Sequence, residues 1–282
     1  MNKSTNQQIT QSTNNVIVIT GASSGIGKAL VVEALKTGAQ VVLAARDQDA
    51  MLEIVRGVDE TRYLIVRTDV SLEADCRNLI DQTIRRFGRI DVLINNAGIS
   101  MRALFQEVDL KVLERLMQVN FWGSVYCTKY ALPWLLKTKG SVAGVSSIAG
   151  YKGLPARSGY SASKFALQGF LECLRIENMK TGLHVLIACP GFTASNIRKT
   201  ALANDGSMQG ESPRAEDKMM TAGAVAKKIL KAIRKRKRTL ILTSQGKLTV
   251  LLNKLFPAFT DKLVYKHMAK EPNSPLTLNA KH

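Results

Sequence analysis

Tyr160 and Lys164 are the pair whose residue types and spacing could do chemistry. They lie four positions apart in a helix-like segment, so both side chains share one helix face. A phenol titrates near a pH of about 10, and a neighbouring ammonium together with a bound cation would lower that value enough for proton exchange near neutral pH. Ser147, at a predicted strand end, offers a hydroxyl to polarise the same oxygen. The three side chains predict proton transfer to or from a carbonyl or hydroxyl oxygen.

A glycine-rich turn reads T-G-A-S-S-G-I-G at residues 20–27. The run before it, at 16–19, is continuous and β-branched, as in a strand buried on both faces, and apolar residues at helical spacing follow it. Such a strand, turn and helix N-terminus form an anion site, because free N–H groups and the positive helix end face a pyrophosphate. The residues predicted to surround that pyrophosphate are Gly21, Ser23, Ser24, Gly25, Ile26 and Gly27.

A mononucleotide-binding Walker loop does not fit this turn. In its motif, G-x-x-x-x-G-K-[ST], a first glycine precedes Gly27-Lys28 and a hydroxyl residue follows them. The chain has Ala22 and Ala29 at those places, so it lacks both the glycine and a hydroxyl for Mg²⁺. The turn therefore predicts a dinucleotide.

The end of the second predicted strand, at 39–46, indicates which dinucleotide is bound. In dinucleotide folds a carboxylate at this place binds the ribose 2′-OH of NAD. Here Ala45 takes the place of the acid and Arg46 follows, and a guanidinium can bind a 2′-phosphate through two hydrogen bonds. We therefore expect NADP(H). In the alternative interpretation Arg46 is a solvated strand-end residue whose charge is reduced by its neighbour Asp47.

Strand and helix patterns alternate along the chain. The predicted strands lie at 16–19, 39–46, 61–70, 89–98, 141–147, 183–191 and 239–244. The predicted helices lie at 28–35, 48–56, 72–87, 109–137, 160–181 and 222–236. Strands that alternate with helices imply right-handed crossovers. We predict a single-domain α/β fold: a Rossmann-like, doubly wound sheet of seven parallel strands with a C-terminal helical extension.

Composition sets the expected domain limits. The chain has 282 residues with 45% hydrophobic content, which suits one large domain. We expect a disordered polar lead-in at 1–14, an NADP-binding catalytic domain at 15–245 and a basic amphipathic extension at 246–282. Within the domain, 192–221 is rich in Ser, Asn, Gly and Asp and is predicted to form a lid over the substrate.

Several protein classes are disfavoured by composition. No apolar run approaches the roughly 18 residues that span a bilayer, and the N-terminus lacks the apolar core of a signal peptide. Four cysteines without C-x-x-C spacing and only three histidines argue against a metal site and a histidine-based triad. We expect a cytoplasmic protein with reduced thiols and no metal.

Positive charge is concentrated near the C-terminus. Of a net charge of +18, residues 227–282 hold fourteen Lys or Arg against Asp261 and Glu271. Apolar clusters alternate with lysines over 248–270, and two interpretations stay open: peripheral contact of this segment with an anionic membrane, or folding of 248–260 as a lid helix over the substrate pocket, with the lysines solvated. The basic run at 234–238 has no interleaved aromatic residues, so no nucleic acid partner is expected.

Together, these motifs resemble one family, the classical short-chain dehydrogenases/reductases, over about residues 15–245. The resemblance implies that Asn120, Ser147, Tyr160 and Lys164 are catalytic, with Asn120 holding a water of a proton relay and Lys164 also binding the nicotinamide ribose. It implies that Ser147 and Tyr160 contact the substrate. The cofactor residues that it adds are Asp69 and Val70 beside the adenine, Asn95, Ala97, Gly98, Tyr160, Pro190, Gly191, Thr193 and Ser195, where the family commonly has Thr.

Within that family the chain looks closest to a lipid-associated subgroup that includes acyl-dihydroxyacetone phosphate reductase. The 3-ketosphinganine reductases and 11β-hydroxysteroid dehydrogenases look more distant. The resemblance implies hydride transfer between NADP(H) and a carbonyl or secondary alcohol, with a lipid-like substrate, in a homodimer or homotetramer. Two alternatives stay open: a soluble reductase of a small ketone or 3-oxoacyl compound, and a non-catalytic dinucleotide-binding regulator. The complete Asn-Ser-Tyr-Lys set favours catalysis.

Overall fold

Seven parallel strands form one sheet in the computed structural model, which describes residues 15–194, 196–212 and 219–278. These strands are β1 (Val16–Thr20), β2 (Gln40–Ala45), β3 (Tyr63–Arg67), β4 (Val92–Asn95), β5 (Ser141–Val145), β6 (His184–Cys189) and β9 (Thr239–Ile241). Their order is β3-β2-β1-β4-β5-β6-β9. Strands β1 to β3 are added toward one edge of the sheet, and β4 and the later strands toward the other edge. The strand order therefore reverses between β1 and β4, and such a reversal leaves a crevice at their carboxyl ends. The predicted fold class is confirmed.

Helices cover both faces of this sheet. They are α1 (Gly25–Lys36), α2 (Gln48–Ile54), α3 (Glu73–Phe87), α4 (Leu110–Met117), α5 (Gly123–Thr138), α6 (Ser158–Glu177) and α7 (Ala222–Arg234). Side chains along β1 point alternately to the two faces of the sheet, and each face has its own hydrophobic core. Ile17 and Ile19 pack with α1 and α7, whereas Val16 and Val18 pack with α3, α5 and α6. Burial on both faces explains the unbroken apolar runs.

Several predicted elements are longer than the observed ones. The strand predicted at 61–70 ends at Arg67, and the strand predicted at 89–98 is β4 alone. The chain leaves the sheet after Arg67 because polar turns begin there: Asp69 Oδ1 accepts hydrogen bonds from Ser71 N and Ser71 Oγ. The single helix predicted at 109–137 is α4 and α5 joined by a π-helical turn, Gln118–Trp122.

The segment predicted as an irregular lid, 192–221, holds a short parallel pair, β7 (Thr193–Ala194) and β8 (Met220–Thr221). Residues 213–218 of that segment lie outside the described part of the chain, as do the predicted lead-in at 1–14 and the predicted cofactor residue Ser195. The described part of the segment is thus more regular than its composition indicates.

The C-terminal extension is helical. It consists of α8 (Ser244–Leu255), α9 (Pro257–Ala269) and α10 (Pro275–Leu278). An ion pair between Lys152 and Asp261 and a hydrogen bond of 3.0 Å from Asn253 Nδ2 to the Tyr151 carbonyl attach it to the segment that precedes α6. Within 15–194, 196–212 and 219–278, no helix has the length and apolar character needed to cross a membrane.

Candidate active site

The glycine turn brings backbone very close to backbone. Gly21 and Gly25 have φ angles of +66° and +52°, in the region that favours glycine. A Cβ on Gly27 would lie 1.9 Å from the Gly21 carbonyl oxygen, so no other residue fits there without moving the turn. The three glycines therefore fix the shape of the turn between β1 and α1.

The start of α1 leaves backbone donors available. The Lys28 amide makes the first bond within the helix, to the Ser24 carbonyl, so the amides of Gly25, Ile26 and Gly27 have no acceptor within the helix. No hydrogen bond from the helix start goes to the Ser24 side chain. These donors and the positive helix end suit a pyrophosphate, as predicted from the sequence.

Thr20 and Asn96 join this turn to the loop after β4. The Asn96 and Ala97 amides donate to Thr20 Oγ1 at 3.0 and 3.1 Å, and Asn96 Nδ2 donates to the Thr20 carbonyl at 2.9 Å. Sequence analysis did not assign a role to either side chain, although both stand within the motifs it quoted. Their hydrogen bonds hold the two walls of the crevice together.

Asn95 does not reach the crevice. Its Nδ2 donates to Thr128 Oγ1 at 2.9 Å on the α5 side of the sheet, and the residue is 3% exposed. Asn96, the next residue, lines the crevice instead. The structure therefore does not bring the Asn95 side chain to the crevice, because Asn95 still belongs to β4, where neighbouring side chains alternate between faces, and its contact with the cofactor stays a prediction.

At the end of β2, Arg46 is exposed beside buried Ala45. The Asp47 carboxylate accepts a hydrogen bond of 3.0 Å from the Ala50 amide and caps α2. Burial opposes ionisation of Asp69, but hydrogen bonds from Ser71 and the charges of Arg46 and Arg115 outweigh it and lower the Asp69 pKa. Arg46, Asp47 and Asp69 thus all line the crevice, and the Asp47 carboxylate is also hydrogen-bonded to the start of α2.

Tyr160, Lys164 and Ser147 converge at the other end of the crevice. Ser147 follows β5; its hydroxyl accepts a hydrogen bond of 3.2 Å from the Ala149 amide, and it acts to lower the pKa of the Tyr160 phenol. Lys164 Nζ lies 5.7 Å from the centre of the Tyr160 ring and donates to the Val145 carbonyl at 2.9 Å. The predicted proton-transfer group is assembled by β5 and one turn of α6.

Burial controls how these groups titrate. It raises the pKa of Tyr160 above 10.0, against the lowering effects of the Ser147 hydrogen bond and the Arg157 charge. It also lowers the pKa of Lys164 from 10.5 to about 8. The sequence-based expectation is that the ammonium and a bound cofactor cation together lower the Tyr160 pKa; without the cofactor, desolvation is the larger effect and the pKa is raised.

Asn120 lies in the π-helical turn and is fully buried. Its Oδ1 accepts from the Ile99 amide at 2.8 Å, and its Nδ2 donates to the Ile99 carbonyl and to Ser163 Oγ, both at 2.9 Å. A Cβ on Gly98 would lie 3.2 Å from Asn120 Oδ1 and 3.4 Å from Lys164 Nζ. The Asn120 side chain thus fastens the loop after β4 next to Lys164, and its water-holding role stays a prediction.

A single continuous cleft of about 1960 Å³ connects these groups. The predicted site residues that line it are Gly21, Ser23, Ser24, Gly25, Ile26, Arg46, Asp69, Val70, Ala97, Gly98, Ser147, Tyr160, Lys164, Pro190, Gly191 and Thr193. Gly27 and Asn120 do not line the cleft but contact residues that do: Gly27 packs against Gly21, and Asn120 is hydrogen-bonded to Ile99. The volume exceeds that of common ligand pockets, about 300–1,000 Å³, so a dinucleotide and a second molecule fit together.

The C-terminal helices form the far wall of the cleft, next to Tyr160. Apolar side chains of α8 and α9 line it, among them Leu248, Leu252, Val264 and Met268. The structure thus puts part of the segment predicted as a lid, 248–260, along the cleft, and residues of α9 beyond that segment extend the wall. Which residues point inward was not predicted, because apolar residues surround both helices and periodicity does not single out one face.

The comparisons with known proteins agree with this geometry. Residues 15–206 match the family model described as short chain dehydrogenase. The chain is 38% identical to 11-beta-hydroxysteroid dehydrogenase A of Arachis hypogaea, over 92% of this chain and 78% of that protein. It is 33% identical to dehydrogenase/reductase SDR family member 7B of Danio rerio, over 91% and 86% of the two chains. In some other plant relatives the match spans little more than half of the relative's length.

Among solved structures, a short-chain dehydrogenase from Streptomyces avermitilis superimposes with a TM-score of 0.76 at 26% identity, covering 91% of this chain and 98% of that one. The resemblance to acyl-dihydroxyacetone phosphate reductase stays a prediction. The chain belongs to the short-chain dehydrogenase family, whose members are oxidoreductases that act on hydroxyl groups with a nicotinamide dinucleotide.

Proposed function

We propose that this protein is an NADP(H)-dependent oxidoreductase that interconverts a carbonyl and a secondary alcohol. The observation that carries the proposal is the convergence of Ser147, Tyr160 and Lys164 on a cleft whose opposite end is the glycine turn. This arrangement puts a proton donor and an anion site in one cleft. A regulator without turnover would not require it.

Each side chain has a distinct task in the proposed reaction. When bound, the nicotinamide supplies or accepts the hydride. Tyr160 donates its phenol proton to the carbonyl oxygen as that oxygen gains negative charge, and takes it back in the reverse direction. Ser147 donates a hydrogen bond to the same oxygen. The Lys164 ammonium favours the phenolate that remains and is held in place by the Val145 carbonyl.

Arg46 supports NADP(H) as the cofactor. Ala45 leaves no carboxylate at the end of β2, and the Asp47 carboxylate is engaged with the Ala50 amide. The alternative in which Asp47 reduces the charge of Arg46 thus has less support, because that carboxylate is held by the start of α2. A 2′-phosphate would lie beside the exposed Arg46 guanidinium, and Ala45 has no carboxylate that would repel it.

The substrate end of the cleft favours a lipid-like carbonyl compound. Its wall is apolar and comes from α8 and α9. The outer faces of the same helices expose large apolar side chains, which we call the outer patch: Leu251, Leu255, Phe256 and Phe259, each 53–61% exposed. Exposed Lys254 and Lys262 flank the patch. Apolar residues between lysines suit the surface of an anionic membrane, and each such cation contributes about 1 kcal/mol to binding.

Two residues of the cleft wall, outside the outer patch, also reach the surface. Leu248 and Leu263 line the cleft and are also 55% and 41% exposed. A molecule dissolved in a membrane under the outer patch would therefore reach Tyr160 along continuous apolar surface. This continuity favours a lipid substrate over a small ketone.

A second copy of the chain is the proposed partner on the side opposite α8 and α9. Trp122 and Phe165, on the turn before α5 and on α6, are 42% and 47% exposed, and Trp122 stacks on Tyr126 at 5.6 Å. Exposed aromatic residues are enriched in interfaces. A homodimer or homotetramer would cover them, and light scattering that shows a monomer at micromolar concentration would contradict this.

The cofactor and the reaction are tested by one pair of measurements. NADPH and NADH are titrated separately against the protein by fluorescence, and consumption of NADPH is then followed with cyclohexanone, 2-dodecanone, a 3-oxoacyl thioester and an 11-oxosteroid. The account expects tighter binding of NADPH and faster turnover of the long or polycyclic ketones. Binding of neither dinucleotide would overturn it.

A further inference from the structure

A buried cluster of three charges ties the C-terminal segment to the start of the catalytic helix. Arg157 Nη2 lies 2.9 Å from Glu271 Oε2, and Arg102 Nε lies 3.7 Å from the same oxygen. The three side chains are 13%, 3% and 8% exposed for Arg157, Glu271 and Arg102. The contact joins residues 114 positions apart. Such burial requires the carboxylate to stay charged and paired.

The cluster also holds the backbone of the C-terminal segment. Arg102 Nη2 donates to the Pro272 carbonyl at 2.6 Å, and the Glu271 amide donates to the Met268 carbonyl at 3.2 Å. Met268 lines the cleft. The position of the Glu271 carboxylate therefore depends on the docking of α9.

Arg157 connects this cluster with the proton donor. It precedes Tyr160 by three residues at the start of α6, lines the cleft, and its charge acts on the Tyr160 phenol. The other titratable or charged groups that face Tyr160 are Lys164 on α6, Cys189 at the end of β6 and Arg198 after β7. In the described part of the chain, Arg157 pairs with Glu271 of the C-terminal segment.

We propose that Glu271 is a positioning residue for Tyr160: it holds the Arg157 guanidinium beside the phenol only while the C-terminal segment is docked. Without the carboxylate, Arg102 and Arg157 repel each other and Arg157 turns away from the cleft. The wall that encloses the substrate is thereby coupled to the proton donor. This inference rests on the proposed role of Tyr160.

The experiment measures Tyr160 itself. In protein labelled with ¹³C-tyrosine and saturated with NADP⁺, the Cζ resonance of Tyr160, identified by its absence in Tyr160→Phe, is followed against pH. Glu271→Gln and Arg157→Gln should each raise the pH midpoint of the Tyr160 titration (the Tyr160 midpoint) by about half a pH unit or more. In the first variant the Arg157 guanidinium turns away from the phenol, and in the second it is absent. The double variant should show no larger shift than either single variant, because both act through one guanidinium.

Asp261→Asn is the matched control. It removes the ion pair with Lys152, which also docks α9, but leaves the charges around Tyr160 in place. Hydrogen exchange of α9 should increase in both Asp261→Asn and Glu271→Gln, whereas the Tyr160 midpoint should shift clearly more in the second, because Asp261→Asn keeps the ion pair between Glu271 and Arg157. An unchanged midpoint in Glu271→Gln, or equal shifts in both variants, would overturn the proposal. Failure of Tyr160→Phe to lose turnover would instead reject the proposed function and leave the midpoint measurement standing.

Discussion

Lys164 Nζ is 5.7 Å from the centre of the Tyr160 ring and 2.9 Å from the Val145 carbonyl oxygen to which it donates. The ammonium is therefore held by β5, one helical turn from the phenol. Burial of both groups opposes their charged forms. In the proposed reaction the lysine ammonium would favour the tyrosinate that remains after proton transfer.

The stability of the protein should depend on pH through Lys164. Burial lowers the pKa of this residue to about 8 in the folded chain, against 10.5 ordinarily. Between these values the unfolded chain binds more protons, so stability rises with pH, by about 3 kcal/mol in total from this group. Below pH 8 both states are protonated and the full cost of burial remains.

Lys164→Met should remove this contribution. The contribution is measured by denaturant unfolding of the cofactor-free parent and variant at several pH values from 7 to 10. The unfolding free energy of the parent, relative to that of the variant, should increase over that range. Parallel curves would show that Lys164 titrates normally.

Cofactor preference should follow the end of β2. Replacing Ala45 by Asp and Arg46 by Ser puts a carboxylate where the 2′-phosphate would lie and removes the guanidinium, so the ratio of NADPH to NADH affinity should fall by about tenfold or more. Fluorescence titrations give both dissociation constants. Arg67→Ser, at the exposed end of the neighbouring strand β3, is the control and should leave the ratio unchanged. A parent that already prefers NADH would contradict our interpretation of Arg46.

The fold and the reacting group could be predicted because their signals are local. Tyr160 and Lys164 share a face of one helix, and the glycine turn is one continuous motif. That Asn96 rather than Asn95 lines the crevice could not be predicted, since it depends on which residue ends β4. The contact of Glu271 with Arg157 joins distant segments and has no local pattern at all.

The C-terminal segment shows a second limit of sequence reasoning. Its pattern allowed a lid or a membrane-contacting surface, and the structure has apolar residues both along the cleft and on the outside of these helices: Leu252 lines the cleft, whereas Leu255 is 61% exposed. The raised pKa of Tyr160 could not be predicted for a related reason: desolvation depends on packing that no sequence motif encodes.

The outer patch should bind anionic vesicles. The parent should sediment with vesicles of phosphatidylserine and phosphatidylcholine at low salt and be released as salt rises, because the lysines are screened. Phe256→Ser combined with Phe259→Ser should weaken this binding by about tenfold, from the lost apolar contact. Met179→Ser, at a 77% exposed residue after α6, should have no effect. Equal binding by both variants, or none by the parent, would remove the support for a lipid substrate.

The central claim is that Tyr160 transfers the proton, and Tyr160→Phe tests it most directly because only the hydroxyl is lost. Turnover of NADPH with the best ketone of the panel and the dissociation constant of NADPH are measured on the same preparation. We predict that turnover falls by about a hundredfold or more while the dissociation constant changes less than about threefold. Turnover within about threefold of the parent, with NADPH binding intact, would contradict the account.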